Sequence, residues 1–263
     1  MIFGKNGFTI LVTGKGGTGK TFLSSRLITY FSQIGSVLAI DADPDSNLPE
    51  ALGVTVKQTV GDIREKIISP DEKYSTGEVD RRDQFSSKIM EILHEGPRYD
   101  LLVMGRSEGE GCYCAVNHVL RHAIDSMYTA YDSVVVDCEP GLEHISRRTT
   151  RHVDLMLVVT DASKKGVLTA RRILDLSKEL RIQFSTSLLV ANKMTKETQE
   201  AMAEQAKQYG MEIFGSIPFD DRVSRFDAQG IPLGEMNNGS TALAAADEIC
   251  RRILSVSTEA ERK

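Results

Sequence analysis

The sequence that decides the fold is Gly14-Lys15-Gly16-Gly17-Thr18-Gly19-Lys20-Thr21. It follows an apolar run at residues 8–13 and precedes residues 22–34, whose apolar positions have helical spacing. A strand, a glycine-rich loop and a helix in this order are typical of a phosphate-binding loop. Glycines let the backbone N–H groups turn toward phosphate oxygens, and the N-terminus of the helix adds a partial positive charge. The sequence therefore predicts a nucleotide site here.

Two lysines in this loop are expected to differ in their tasks. Lys20 is predicted to reach the β- and γ-phosphates, while the hydroxyl of Thr21 is predicted to bind Mg²⁺. Lys15 cannot easily fold back onto phosphates that its own loop encloses, so we expect it to point outward; the alternative is an ordinary solvated lysine. The loop residues predicted to contact the nucleotide are Gly14, Gly16, Gly17, Thr18, Gly19, Lys20 and Thr21.

Composition limits the classes of protein that are possible. The chain has 263 residues with 41% hydrophobic content, which is enough for one α/β core and predicts a single domain over 1–263. The net charge of −5 argues against nucleic acid as a partner. Four cysteines, no secretory segment and no apolar run of 18 residues predict a cytoplasmic protein without a membrane partner or structural disulfides.

Apolar runs alternate with helically spaced segments along most of the chain. The runs are β-branched and nearly continuous, as in strands that are covered on both faces. This alternation predicts an α/β fold with a doubly wound, mostly parallel sheet flanked by helices, and places ligands at the carboxyl ends of the strands. Residues 54–97 are polar and predicted to be a helical insertion that caps one sheet edge. Residues 257–263 are predicted to be a flexible tail.

Carboxylates follow two of the predicted strands. Asp41-Ala42-Asp43-Pro44-Asp45-Ser46 comes after the second strand and crowds acidic groups near the expected γ-phosphate, which requires a cation or a catalytic task. Val134-Val135-Val136-Asp137 has the form of a Walker B element, in which the carboxylate holds Mg²⁺. Gly141, four residues further on, is predicted to offer its N–H to the γ-phosphate.

The early lysine resembles that of the deviant Walker A ATPases, the family that contains the nitrogenase iron protein, MinD and ParA. The resemblance implies a homodimer stabilised by ATP, in which Lys15 crosses the two-fold interface to the partner's nucleotide. It also implies that Lys15, Lys20 and Asp43 act in hydrolysis, with Asp43 orienting the attacking water and Asp41 supporting the Mg²⁺ shell. At the far end of the site, Asn192 and Pro218 match positions that contact adenine in the family.

Cys112-Tyr113-Cys114 is a C-x-C motif beyond the third main strand. Two thiolates can chelate a soft or borderline metal, but they leave a four-coordinate ion two ligands short. The two-fold axis implied for Lys15 would supply a second pair, and four thiolates suit Ni²⁺ or Zn²⁺. Two further interpretations stay open, namely a pair of small buried side chains and an iron–sulfur cluster shared across the dimer.

Together these motifs resemble the nickel-insertion ATPases that mature carbon monoxide dehydrogenase and acetyl-CoA synthase. The resemblance implies a cytosolic ATPase that uses ATP and Mg²⁺, binds Ni²⁺ through Cys112 and Cys114, and delivers the metal to one of these client enzymes. It leaves open which client is served. Two alternative functions are a positioning ATPase of the MinD or ParA kind and an ATP-driven iron–sulfur electron donor.

Overall fold

The structure is a computed structural model that describes residues 7–63, 87–106, 127, 130–138, 152–179, 183–236 and 239–260. Within these residues, eight strands form one sheet in the order β3-β4-β2-β5-β1-β6-β7-β8. All neighbouring strands are parallel except β3 and β4. The strands are β1 (Phe8–Gly14), β2 (Val37–Asp41), β3 (His94–Glu95), β4 (Asp100–Val103), β5 (Ser133–Asp137), β6 (His152–Thr160), β7 (Gln183–Met194) and β8 (Ile213–Pro218).

Helices cover both faces of this sheet. Residues 60–63 and 87–92 are also helical, and Leu233–Glu235 forms a 3₁₀ turn. From the central strand β1 the chain builds β2, β3 and β4 toward one edge of the sheet and returns to the centre at β5. It then builds β6, β7 and β8 toward the other edge. This order confirms the predicted doubly wound α/β fold. The helices are α1 (Lys20–Phe31), α2 (Leu48–Leu52), α3 (Lys164–Glu179), α4 (Lys196–Gln208), α5 (Asp221–Ala228) and α6 (Thr241–Ala260).

The core lies in two layers, one on each face of the sheet. In β5, Val134 and Val136 belong to the same buried cluster as side chains of α3 and α4, whereas Val135 belongs to the cluster that contains those of α1 and α6. All three valines are fully buried. Because successive side chains of a strand point to opposite faces, burial on both sides explains why the central strands have continuous apolar sequences.

Four boundaries differ from the sequence-based prediction. β7 runs to Met194, so Asn192 lies within the strand, whereas the sequence suggested that it follows the strand. The segment 54–97, predicted to contain helices, also contributes the short edge strand β3. The helix α5 was not predicted, since it buries none of its residues and has little apolar signal. α6 continues to Ala260 and includes the first part of the predicted flexible tail.

Candidate nucleotide-binding site

A cavity of about 740 Å³ opens at the carboxyl ends of the central strands. We call the part that contains the predicted phosphate-binding loop the phosphate end; it is lined by Gly16, Gly17, Gly19, Lys20, Thr21, Asp43 and Asn192. We call the opposite part the outer end; it is lined by Pro218, Phe219, Asp220, Val223, Ser224, Asp227, Gly230, Ile231 and Leu233. A volume of this size accommodates a nucleotide.

The buried side-chain amide of Asn192 holds the phosphate-binding loop in place. Asn192 Nδ2 donates to the carbonyl of Thr18 at 2.8 Å, and Thr18 Oγ1 donates to the carbonyl of Lys15, also at 2.8 Å. Gly19 has φ of 90°, and a Cβ atom there would lie 2.1 Å from Asn192 Nδ2. Only glycine fits this combination of a left-handed backbone and a close neighbour. The loop then continues into α1 at Lys20, which is buried.

Asp137 connects β5 to the start of α1. Thr21 Oγ1 donates to Asp137 Oδ2 at 2.7 Å, and Ser24 Oγ donates to Asp137 Oδ1 at 2.9 Å. Burial raises the pKa of Asp137 to about 6, although both hydroxyls and the charge of Lys20 oppose the rise. The structure thus brings the predicted pair Thr21 and Asp137 together. It adds Ser24, which belongs to none of the predicted motifs.

Asp41 holds the loop that follows β2. Its Oδ1 accepts the N–H of Asp43 at 3.1 Å and its Oδ2 accepts the N–H of Leu48, at the start of α2, at 3.0 Å. Asp41 is the register partner of Asp137, and both are buried. Burial, followed by the charge of Asp137, raises the pKa of Asp41 to about 7. Both oxygens of Asp41 therefore fix the loop, and its share in an Mg²⁺ shell stays a prediction.

The residues around Asp137 fit a magnesium ion. A hydroxyl and a carboxylate, 2.7 Å apart, are hard oxygen donors of the kind that Mg²⁺ prefers, and phosphate oxygens would complete the set. Two buried carboxylates with raised pKa values are also a place where a divalent cation is favourable. Within the described part of the chain, no group of three or more His, Cys, Asp or Glu side chains is arranged to hold a metal by itself.

The two residues predicted to act in hydrolysis beside Lys20 lie on different sides of the loop. Asp43 lines the cavity, and its Oδ1 accepts the N–H of Asp45 at 3.0 Å. Lys15 does not line the cavity; its Nζ lies 3.4 Å from Oδ2 of Asp161, the residue after β6. Asp161 is in turn oriented by the N–H of Ser163 at 3.1 Å. The predicted reach of Lys15 to a partner's nucleotide stays a prediction.

The strand β7 contributes a second lysine, which directly follows the predicted site residue Asn192. Lys193 has φ of 59°, and its Nζ donates to the carbonyl of Gly17 at 2.9 Å. Its N–H donates to Asn192 Oδ1 at 2.8 Å, so both polar ends of the Asn192 amide have partners. Pro218 also lines the cavity, and the adenine contacts of Asn192 and Pro218 stay predictions.

Three predicted site residues lie outside the described residues. Gly141 falls in the gap between 138 and 152, and Cys112 and Cys114 fall in the gap between 106 and 127. Their proposed contacts with the γ-phosphate and with nickel or zinc therefore rest on the sequence. The described cysteines, Cys138 and Cys250, are both buried, and neither forms a disulfide within the described residues.

Comparison with known proteins identifies the family. The profile of the CobQ/CobB/MinD/ParA nucleotide binding domain matches residues 9–233, which include the phosphate-binding loop, Asp137 and Asn192. The chain belongs to this family. It is therefore an ATP-binding P-loop ATPase.

Two relatives and one solved structure illustrate the range of similarity. An uncharacterized ATP-binding protein of Methanocaldococcus jannaschii is 47% identical over 93% of this chain and 98% of its own length. The carbon monoxide dehydrogenase accessory protein CooC of Rhodospirillum rubrum is 31% identical over 84% of this chain and 88% of its own. The MinD cell division protein of Aquifex aeolicus has a similar fold, with a TM-score of 0.68, 20% identity and coverage of 95% and 97%.

No helix among the described residues combines the length and the apolar character that crossing a membrane requires.

Proposed function

We propose that this ATPase is a nickel chaperone that delivers Ni²⁺ to carbon monoxide dehydrogenase or acetyl-CoA synthase. The observation that carries the proposal is the match, at 31% identity over 84% of the chain, to an accessory protein of carbon monoxide dehydrogenase. The motif Cys112-Tyr113-Cys114 supplies thiolates suited to nickel as a cargo. Lys15 supplies the group that would join two copies and so bring two thiolate pairs together.

The residues of the phosphate end suit hydrolysis of the β–γ phosphoanhydride bond. Lys20 and the loop N–H groups would hold the phosphates, while Thr21 and Asp137 would hold Mg²⁺, which neutralises charge on the phosphate oxygens. Asp43 lines the same cavity and would orient the water that attacks the γ-phosphorus as the bond to the β-phosphate oxygen breaks. Positioning and charge neutralisation are the main contributions of proteins to this reaction.

Dimer formation would require Lys15 to exchange one anionic partner for another. Its ammonium lies 3.4 Å from Asp161 within the same protomer, and its side chain is 36% exposed. A partly exposed pair of this kind contributes about 1 kcal/mol or less, so a partner's triphosphate can compete for the lysine. A ligand that contacts both copies stabilises only the closed dimer, and ATP would thereby control when the thiolate pairs meet.

A positioning ATPase of the MinD or ParA kind is the competing function. Such a protein that works at a membrane needs an amphipathic helix with a free apolar face. The apolar residues of α6, including Ala246, Ile249 and Ile253, are instead buried against the sheet and α1. The net charge of −5 is also unfavourable for a positioning ATPase that binds nucleic acid. These observations favour the chaperone over the positioning function.

Metal binding at the C-x-C motif is the experiment that tests the proposal. Protein purified without oxygen is dialysed against Ni²⁺ with and without a non-hydrolysable ATP analogue, and metal content and molecular mass are measured. We expect about one Ni²⁺ per dimer in the presence of the analogue, because four thiolates come from two copies. The double variant Cys112→Ser, Cys114→Ser should lose this nickel while keeping ATP binding.

The matched control is Cys250→Ala, which removes a buried thiol of α6 that is not part of the motif and should bind nickel normally. Nickel binding that persists in the double serine variant would contradict the proposal. So would cluster-type absorption in the protein as purified, which indicates an electron donor. Sedimentation with liposomes or DNA in the presence of ATP would instead support the positioning function.

A further inference from the structure

The turn that follows β2 contains a strained residue. The N–H of Ser46 donates to the carbonyl of Asp43 at 3.0 Å, which closes a turn over residues 43–46. Ser46 has φ of 52°, a left-handed conformation that is unfavourable for a residue with a Cβ atom. Such strain persists where the surrounding structure requires it. Contacts from outside the turn are therefore needed to hold it in this form.

The carboxylate of Asp43 is oriented by the backbone of this turn. Its Oδ1 accepts the N–H of Asp45 at 3.0 Å, so the position of the Asp43 side chain depends on where the backbone of Asp45 lies. The N–H of Asp43 itself donates to Asp41 Oδ1 at 3.1 Å. Asp41 thus fixes the first half of the turn, and the half that contains Asp45 needs an anchor of its own.

Arg106, beyond the end of β4, contacts the second half of the turn. Its Nη2 donates to Asp45 Oδ1 at 2.7 Å. Asp43 and Asp45 both line the cavity, so the guanidinium also reduces the repulsion between two neighbouring carboxylates. The side chains of Arg106 and Asp45 are 67% and 64% exposed, and an exposed pair of this kind contributes little to the free energy of folding. We therefore expect the pair to affect the placement of Asp43 more than the stability of the protein.

The backbone that carries Arg106 is fixed from two sides. The N–H of Met104 donates to the carbonyl of Asp41 at 2.8 Å, and the N–H of Gly61 donates to the carbonyl of Met104 at 2.9 Å. A Cβ atom on Gly61 would lie 2.2 Å from the carbonyl oxygen of Arg106, so only glycine fits there. Residues 104–106 are thus held both by the end of β2 and by the helical residues 60–63. The side chain of Arg106 extends from a fixed base and can anchor a strained turn.

We infer that Arg106 is a positioning residue for ATP hydrolysis. Through Asp45 it holds the turn in the form that places the Asp43 carboxylate at the cavity, where Asp43 orients the attacking water. The rate of hydrolysis depends on how accurately such a group is placed. The inference rests on the role of Asp43 in the proposed function, and it goes beyond that function because Arg106 is not among the residues that line the cavity.

A direct contact of Arg106 with the γ-phosphate is the competing role. Arg106 would then leave Asp45 when ATP binds, and Asp45 would compete with the phosphate for the guanidinium. Removal of the Asp45 charge would therefore raise the rate of hydrolysis. In the positioning role the same change lowers the rate, because the turn loses its anchor. The direction of the change in Asp45→Asn thus separates the two roles.

The test measures kcat of the full chain at saturating ATP and Mg²⁺, together with the dissociation constant of the ATP analogue AMP-PNP. In Arg106→Gln and in Asp45→Asn we expect kcat to fall about fivefold, as for the loss of one exposed ion pair. Affinity for AMP-PNP should stay within about twofold, because Lys20 and the loop N–H groups are unchanged. The double variant should also lose about fivefold, and not about 25-fold, since both changes break the same pair.

Ionic strength gives a second measurement. Salt screens an exposed ion pair, so rising salt should lower kcat of the unsubstituted protein and have much less effect on Arg106→Gln. Arg106→Lys keeps the charge and should recover part of the lost rate. The matched control is Arg98→Gln, since Arg98 is an exposed arginine that precedes β4, whereas Arg106 follows it. Its kcat should equal that of the unsubstituted protein.

Asp43→Asn distinguishes failure of this inference from failure of the proposed function. We expect kcat of this variant to fall about a hundredfold. If that loss is seen while Arg106→Gln keeps its full rate, the inference is wrong and the role of Asp43 stands. A higher kcat in Asp45→Asn, or losses that multiply in the double variant, would also contradict the inference. A normal rate in Asp43→Asn would overturn both, because the turn would then have no group to position.

Discussion

The two ends of the nucleotide cavity are constructed differently. At the phosphate end, Lys20, Asp137 and Asn192 are all buried, with exposed fractions of 7%, 1% and 5%. Their hydrogen bonds join the loop, α1, β5 and β7. At the outer end, α5 has no buried residue and Phe219 is half exposed. One end is part of the protein core, whereas the other is an exposed surface.

This difference indicates where binding energy and catalysis are determined. Buried hydrogen bonds and charges act in a region of low dielectric constant and need little reorganisation when ATP arrives. Exposed apolar contacts contribute less each and can be rearranged. Substitutions at the phosphate end should therefore abolish activity, and comparable substitutions at the outer end should be tolerated.

The largest effect is expected for Asp137→Asn. The amide accepts less strongly than a carboxylate and carries no charge to hold Mg²⁺, so kcat for ATP hydrolysis should fall about a thousandfold, or about 4 kcal/mol in the barrier. Thermal stability without nucleotide should be retained or should increase, because burial of this carboxylate is unfavourable, as its raised pKa shows. Steady-state ATPase rates and thermal melting measure both quantities.

The matched change at the outer end is Asp227→Asn, since Asp227 also lines the cavity and belongs to the exposed helix α5. Its ATPase rate should stay within about threefold of the unsubstituted protein. If Asp227→Asn were as damaging as Asp137→Asn, the distinction between the two ends would be wrong.

A pair of glycine substitutions gives the second comparison. Gly19 and Gly230 both have positive φ and both line the cavity. In Gly19→Ala the new Cβ would lie 2.1 Å from the buried Asn192 Nδ2, so ATP affinity should fall about a hundredfold. In Gly230→Ala the nearest atom is Glu50 Oε1, at 3.3 Å on a flexible side chain. Only the backbone penalty of about 1 kcal/mol in stability remains there, with ATP affinity unchanged.

Isothermal titration with an ATP analogue and urea denaturation separate these two outcomes. A strong loss of affinity in Gly230→Ala would show that the outer end is as rigid as the phosphate end. Unchanged affinity in Gly19→Ala would show that Asn192 moves aside easily and does not constrain the loop.

The sequence was sufficient to predict the phosphate end because its signals are local. Glycine spacing over residues 14–21 depends on backbone geometry within a few residues, and the apolar run before Asp137 depends on burial of one strand. The parallel sheet then brings the carboxyl ends of strands together, which places Thr21 beside Asp137. These elements of the site follow from rules that act within single strands and loops.

Other features depended on contacts between residues that are far apart in the chain. Asn192 contacts a residue 174 positions away and Lys15 contacts Asp161 across 146 positions. No local pattern distinguishes such partners from other polar residues at strand ends. The bulge that directs Lys193 toward Gly17 lies where the register of β7 with β8 shifts. Helix α5 is short, and Val223 and Phe226 are its only large apolar residues.

The third prediction uses pH to separate the two ends. Burial raises the pKa of Asp41 to about 7 and that of Asp137 to about 6, whereas an unfolded aspartate titrates near 4. Between these values the folded protein binds protons that the unfolded chain releases, so the free energy of unfolding falls as pH rises from 5 to 8. We expect a decrease on the order of 2–4 kcal/mol in nucleotide-free protein with EDTA, measured by urea denaturation.

Asp220, at the outer end, contributes nothing to the fall in the free energy of unfolding between pH 5 and 8, because the hydroxyl of Ser240 holds the pKa of Asp220 below its usual value. The stability that comes from Asp220 is lost only as pH falls below about 4. In Asp41→Asn, the free energy of unfolding should therefore change little between pH 6 and 8, and the pH dependence due to Asp137 should remain. In Asp220→Asn, the pH dependence of the free energy of unfolding should be unchanged from pH 5 to 8. With saturating ATP and Mg²⁺ the ionised carboxylates become favourable, so the decrease between pH 5 and 8 should disappear. A flat profile in EDTA would mean that the buried carboxylates do not control stability at the phosphate end.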